Sequence, residues 1–472
     1  MKLKRKLILI AFCLLLVPYS AGCAENVKEP SVAGMFYPAD SKELVKTIEN
    51  FLTNAERTKN NGKLIALISP HAGYTYSGQV AAFGYKTIKG NDIKKVILIG
   101  PSHHTGFKGV SVYTKGSFKT PLGNVDINTN LAESLINENA DVRFYPEAYA
   151  KEHSLEVQLP FLQTVLKDFT IVPVLIGSIT RQSFDHLIAK LIDILDEKTL
   201  IIASTDLSHY HDYHKAIEMD SKIISAVERL SVMDVSQLLQ DGKSEMCGAY
   251  PVIITLEVAR RYGANIGVLF KYANSGDVTE EKDMVVGYAS IGLYKNPFTE
   301  EEKKELLELA KKAITDYVTN GKTPEAQIKN QKFKTDGAVF VTIKKNGALR
   351  GCIGHVQAIM PLHQSVVKNA VAACSADPRF PSLTKEELKD IDVEISILSP
   401  LNYVKDIKEI QVGKHGLVIR KGMHQGLLLP QVAEENGWDR ETFLNKLCNK
   451  AGLPENAWEN ADLYYFTAEI IK

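Results

Sequence analysis

The chain has 472 residues, and Lys plus Arg equals Asp plus Glu at 56 each, so the net charge is formally zero. No global field draws such a chain to nucleic acid or to a membrane surface. The length exceeds one ordinary core, so two domains are expected, and a hydrophobic fraction of 45% agrees with a globular protein.

Residues 1–23 stand apart from the fold. Lys2, Lys4, Arg5 and Lys6 precede the apolar stretch Leu7 to Val17 and then Pro18-Tyr-Ser-Ala-Gly-Cys23, the charged, apolar, small-residue order of an export signal. Ser20-Ala-Gly-Cys23 is similar to a bacterial lipoprotein cleavage box, with Ser20 where Leu is usual. Two outcomes stay open: a lipidated Cys23 that attaches the protein to a membrane, or ordinary cleavage and a periplasmic or extracellular protein. An uncleaved anchor fits less well, because the apolar stretch is shorter than the ~20 residues that span a bilayer comfortably.

From Val27 the chain alternates strands and helices. Leu64 to Ile68 reads as a strand, the region near Val80 to Ile88 as a helix, and Val96 to Ile99, Thr170 to Ile176, Leu200 to Ala203, Val268 to Tyr272 and Met284 to Leu293 as further strands. Apolar runs without polar alternation are strands buried on both faces, so residues 27–297 are expected to form a three-layer α/β domain on a mainly parallel sheet. Asn296-Pro-Phe298 breaks the pattern. Thr299-Glu-Glu-Glu302 then offers a capping box for a helix with apolar Leu306, Leu309, Ala310, Ala313, Ile314 and Tyr317. Residues 298–472 continue with half-alternating strands, including Ala338 to Lys344, an Asn346-Gly347 turn and Leu349 onward, and predict a smaller α+β domain.

Three apolar runs end in histidine: His71 after Ser69-Pro70, His103-His104 after Gly100-Pro-Ser102, and His209 after Ser204-Thr-Asp-Leu-Ser208. In a parallel sheet ligands bind beyond the carboxyl ends of the strands, so these imidazoles converge on one crevice if the strands are neighbours, as a transition metal requires. A histidine at a strand end also serves as a satisfied structural residue. Asp206 precedes His209 by a spacing at which one turn joins carboxylate and imidazole, the usual preparation of a general acid or base; a helix cap by Asp206 is the plainer alternative. His153 and Glu156, spaced i,i+3, are candidates to line the same crevice, and His104 is a candidate to support it. Cys247, in Met246-Cys-Gly-Ala-Tyr-Pro251, sits at a helix start where a metal or the helix dipole favours a thiolate; otherwise it is a small buried hydrophobe. Of the cysteines beyond the leader, Cys352, Cys374 and Cys448 lack metal-type pairing, and one pair among them is able to bridge in an oxidising compartment.

These segments carry a resemblance. Val32-Ala-Gly-Met-Phe-Tyr-Pro38, Pro70-His-Ala-Gly-Tyr-Thr-Tyr76, Gly100-Pro-Ser-His-His104, Glu152-His-Ser-Leu-Glu156, Ser204-Thr-Asp-Leu-Ser-His209, Cys247-Gly248 and Tyr272-Ala-Asn-Ser-Gly-Asp277 resemble the Memo family across residues 27–294. That family in turn is similar to class III extradiol dioxygenases, non-haem iron enzymes that open catechol rings. The resemblance implies a metal on His71, His103 and Cys247, with His209 as proton carrier beside Asp206 and Tyr74 as a further candidate near the substrate. Fe(II) is the first expectation, with copper or zinc as alternatives, because a thiolate in place of the dioxygenase carboxylate is softer and shifts the iron chemistry.

Leu349-Arg-Gly-Cys-Ile-Gly354, Asp377-Pro-Arg-Phe-Pro381, Val393-Glu-Ile-Ser-Ile-Leu-Ser399 and Gly426-Leu-Leu-Leu-Pro-Gln431 resemble the AMMECR-type domain over residues 299–472. Glycines beside Cys352 permit close approach to its thiol, while Arg350 and Arg379 are candidates to hold an anion and Asp377 to attend the thiol; a glycine-kinked strand with a buried Cys is the alternative. The two domain types recur with a radical S-adenosylmethionine enzyme in the AmmeMemoRadiSam system, which implies such an enzyme as partner. The export signal departs from that association. The reading that results is a metal-dependent redox enzyme acting on an aromatic or other small molecule. The alternatives are a non-catalytic module that binds a peptide or other ligand, and modification of a nucleobase or RNA, which neutral charge and export disfavour.

Overall fold

The computed structural model describes residues 26–58, 60–324 and 328–472, so residues 1–23, expected to be an export signal, lie outside the described residues together with Cys13 and Cys23. The apolar runs form the strands Lys63–Ser69, Lys95–Pro101, Thr170–Ile176 and Thr199–Ser204. They lie side by side in the order Lys63–Ser69, Thr199–Ser204, Lys95–Pro101, Thr170–Ile176, all parallel. Every residue of Thr199–Ser204 is buried, and in Lys95–Pro101 only Lys95 is not, because both faces of these strands are covered. Each buried Leu or Ile side chain there contributes about 1.5–3 kcal/mol of transfer free energy.

The expected mainly parallel sheet is in fact mixed. Among the described residues nine strands belong to it, and only the centre is uniformly parallel. Val285–Lys295 runs antiparallel to Lys63–Ser69, and both Ile266–Asn274 and His209–His211 run antiparallel to Val285–Lys295. On the far side Val110–Val112 runs antiparallel to Thr170–Ile176. Connection length is the cause at the first edge: residues 275–284 join Ile266–Asn274 to Val285–Lys295, too short a link for a crossover back to parallel. Helices Tyr74–Ile88, Tyr213–Glu228 and Ala249–Arg261 pack on this sheet.

The second half begins as its capping box predicts. Thr299 Oγ1 accepts from Glu302 N at 3.2 Å, the Glu302 carboxylate accepts from Thr299 N at 2.9 Å, and the helix Glu300–Asn320 buries Leu306, Ala310, Ala313 and Ile314. The hairpin Ala338–Lys345 to Ala348–Gly354 turns at Asn346 and Gly347, whose φ values of 49° and 79° suit a type I′ turn. It belongs to a seven-stranded antiparallel sheet, so this half is α+β. The halves touch through Lys405 Nζ, 2.7 Å from an Asp193 carboxylate oxygen, and through Asp336 N, which donates to Arg229 O at 3.3 Å.

Candidate metal centre

The parallel register sets Ser69 beside Ser204 and Ile99 beside Ala203, so the carboxyl ends of three strands lie next to one another. His71, His103 and Asp206 each follow their strand's last residue by two positions. Cys247 arrives from elsewhere, just before the helix Ala249–Arg261. Its neighbour Gly248 is held against the strand end: a Cβ there would lie 2.5 Å from Ser204 O and 2.6 Å from Thr205 Cβ, so only glycine lets the thiol come this close.

One donor atom from each of His71, His103 and Cys247 lies within 4.8 Å of the others. An ion about 2.0–2.3 Å from each donor needs separations of roughly 3–4.5 Å, so small adjustments suffice. His71 Nε2 is 3.2 Å from Cys247 Sγ. The hydrogen bonds behind the rings decide which nitrogen faces the ion. Ser204 Oγ donates its one proton to Ser154 O at 2.6 Å and accepts from Gln158 Nε2 at 2.8 Å, so at 2.9 Å it accepts from His71 Nδ1. That fixes the proton on Nδ1 and leaves Nε2 with a lone pair toward Cys247. Likewise His103 Nδ1 donates to Glu152 Oε1 at 3.0 Å and leaves its own Nε2 free.

The electrostatics favour neutral donors. Burial, then repulsion from His103 and His153, push the His71 imidazole well below its usual range. Burial and the nearby Asp206 push the Cys247 thiol up to about 12, so without a cation the thiol keeps its proton and a bound metal must displace it. Burial alone would raise Glu152, yet hydrogen bonds from the His103 ring and backbone and from Ser154 N hold its carboxyl well below the carboxylate range.

Asp206 is drawn up to about 7 by burial, against hydrogen bonds from His71 N and Ala72 N. Its Oδ1 accepts from His71 N at 2.8 Å, so this carboxylate fixes the His71 loop. Among the described residues no hydrogen bond joins it to His209, because the chain leaves Asp206 to enter the strand His209–His211 against Val285 and Val286. His209 is half-buried and its imidazole is lowered by burial. Tyr210 beside it carries φ 59°, an uncommon strain for a bulky residue.

His153 stacks on His103 at 4.8 Å between ring centroids, and His104 is exposed, 6.0 Å from His153. Glu156 lies away from the crevice: it is 1% exposed and accepts from Lys28 Nζ, Ser31 N, Val32 N and the Tyr37 hydroxyl. Tyr74 is also buried, its hydroxyl donating to Val157 O at 2.8 Å. Sequence reasoning passed over Glu152 and Ser204, which orient the two imidazoles; Glu152 stands 49 residues from His103, so no local spacing announces it.

In the second half Thr342 Oγ1 is 3.2 Å from Cys352 Sγ, and burial raises that thiol. Asp377 accepts from Cys352 N at 2.8 Å and binds the Arg379 guanidinium, which also donates to Cys352 O. Arg350 is engaged by Glu387, Pro381 O and Ser382 O. Both guanidinium groups thus already have anionic partners within the chain. Cys247, Cys352, Cys374 and Cys448 are all free thiols.

Known proteins match along the same division. Residues 28–292 match the family described as Memo-like protein, and residues 307–471 match the one described as AMMECR1. A MEMO1 family protein of Methanobrevibacter smithii is 37% identical over 282 residues, covering 57% of this chain and 100% of the relative. Another from Methanopyrus kandleri is 37% identical over 276 residues, covering 56% of this chain and 98% of the relative. Among solved structures, the uncharacterised protein PH0010 from Pyrococcus horikoshii is 39% identical and covers 37% of this chain and 92% of its own, with a TM-score of 0.36. The chain therefore belongs to the Memo-like family, and an AMMECR1 domain follows its Memo-like domain.

Proposed function

We propose that the chain is a metal-dependent redox enzyme whose metal, iron first and copper as the alternative, is held by His71, His103 and Cys247; zinc on the same donors would have no redox role and would leave a binding module. One observation carries this reading: both imidazoles have Nδ1 committed to an acceptor, Ser204 or Glu152, so that both Nε2 lone pairs and the Cys247 sulfur are left for one ion. A bound iron supplies electron exchange with a small molecule brought against it. The residues of the chain do the rest. Asp206 and Ser204 hold His71 in place, Glu152 and the stacked ring of His153 hold His103, and His209, drawn toward its neutral form at neutral pH, takes a proton from the substrate. A fold like that of the class III extradiol dioxygenases, export through the leader and a functional link to a radical S-adenosylmethionine enzyme belong to the same reading.

Elemental analysis of the full chain purified without oxygen tests it. The wild type is expected to retain about one metal per chain, and His71→Ala, His103→Ala and Cys247→Ser to lose most of it. A metal-free wild type, or equal metal in Cys247→Ser, would overturn the assignment. Metal retained with no change of oxidation state on adding dioxygen or dithionite would leave a binding module and remove the redox role.

A further inference from the structure

A cleft of about 950 Å³ separates the two halves, at the top of the range for small-molecule sites and at a domain boundary, where such sites concentrate. Its lining is unlike the surface around it in two ways. Met233 from the first half and Ile359 and Tyr403 from the second are 57%, 47% and 54% exposed, and all three face this space. Among the described residues, its lining cations Arg260 and Lys295 have no side-chain hydrogen bond and no carboxylate within ion-pair distance. Arg420 goes further. Its guanidinium lies 5.2 Å over the ring of Tyr464, and its Nε is buried without a hydrogen-bond partner.

That Nε is closed to a ligand, but the two terminal amino groups of Arg420 also make no hydrogen bond or ion pair among the described residues, and an unpaired guanidinium at the wall of a cleft attracts an anion. The carboxylates at the cleft do not serve: Glu257 binds Arg261, Glu469 lies near Lys303, and Asp336 forms no ion pair among the described residues. A guanidinium stacked on a tyrosine ring presents its remaining donors in a plane, beside exposed apolar and aromatic side chains.

We propose that this cleft binds a small amphiphilic anion, a flat apolar body carrying one acidic group, with Arg420 and Arg260 on opposite walls holding the charge and Met233, Ile359 and Tyr403 covering the body. Both halves line the site. It is separate from His71, His103 and Cys247, and stands whether or not those residues hold a metal.

Titration of the full chain with the fluorescent aryl sulfonate anilinonaphthalene sulfonate tests this. The wild type is expected to show one saturable site, weakened by about tenfold or more in Arg420→Ala and, from the other wall, in Arg260→Ala, with Arg420→Lys between. Cys247→Ser should bind like the wild type. Competition by phenyl phosphate identifies a phosphate ester as the ligand, and stronger competition by benzoate identifies a carboxylate. Equal competition by uncharged toluene, or unchanged affinity in both arginine variants, overturns the proposal.

Discussion

Glu152→Gln isolates how the histidines are held. The amide keeps the shape and loses the charge that accepts from His103 Nδ1. Metal affinity is then expected to fall about 10–100-fold, read by competition against a chelator, with a stability cost of about 1–3 kcal/mol because the new amide nitrogen faces the His103 or Ser154 N–H. An affinity equal to that of the wild type would mean that the ring is oriented by its stacking on His153 alone. Such residues explain what could be read in advance. The convergence of His71 and His103 was legible because a side chain at the end of an apolar run is placed by local chemistry, whereas Cys247 was set beside them only through the family resemblance. Glu152 and Ser204 were not legible, because a carboxylate or hydroxyl that steadies another residue acts across the fold and leaves no spacing in the sequence. Glu156 shows the reverse error: the i,i+3 spacing to His153 is real, but the backbone turns that carboxylate toward Lys28.

At the scale of elements, the second half contains an acid-sensitive clasp. Glu387, in a 3₁₀ turn, accepts from Arg350 on the strand Ala348–Gly354 and from Lys345 on the strand Ala338–Lys345. The Arg350 hydrogen bonds lower its carboxyl to about 2. The folded value lies below the unfolded one of roughly 4.3, so the clasp stabilises fully above that pH and is lost as pH falls through 2. Thermal unfolding followed between pH 5 and 2 should therefore show a steeper loss for the wild type than for Glu387→Gln; parallel curves would show that the clasp adds nothing. The hairpin between these strands was fully legible, since Asn346-Gly347 demands its turn. Strand direction was not. An apolar run reads alike whichever way it points, and the antiparallel edge formed by Val285–Lys295 followed from the brevity of the link before it.

On the scale of the whole molecule, the cores are separate: one gathers around the Memo-like sheet, and others lie under the helices of the second half. Calorimetry is expected to resolve two transitions. A metal at a hundred times its dissociation constant should stabilise only the Memo-like one, by about 2.7 kcal/mol or about 5–10 °C. A joint shift of both transitions would mean that the cleft between the halves couples them tightly. The division itself was legible, because Asn296-Pro-Phe298 and the capping box after it punctuate the chain; the cleft was not, since its walls come from residues far apart in sequence.

The ion pair between Lys28 and Glu156 has a mechanical side. Lys28 is the second residue of the first described strand, and Glu156 stands four positions from Glu152, in the stretch that steadies His103. A pull on Val27–Lys28 is shared between the pairing with Ser117 and Phe118 and the ion pair to Glu156. The stretch that carries Glu152 and His153 is thereby tied to the first described strand, so a displacement of that strand bears on the residues that orient His103.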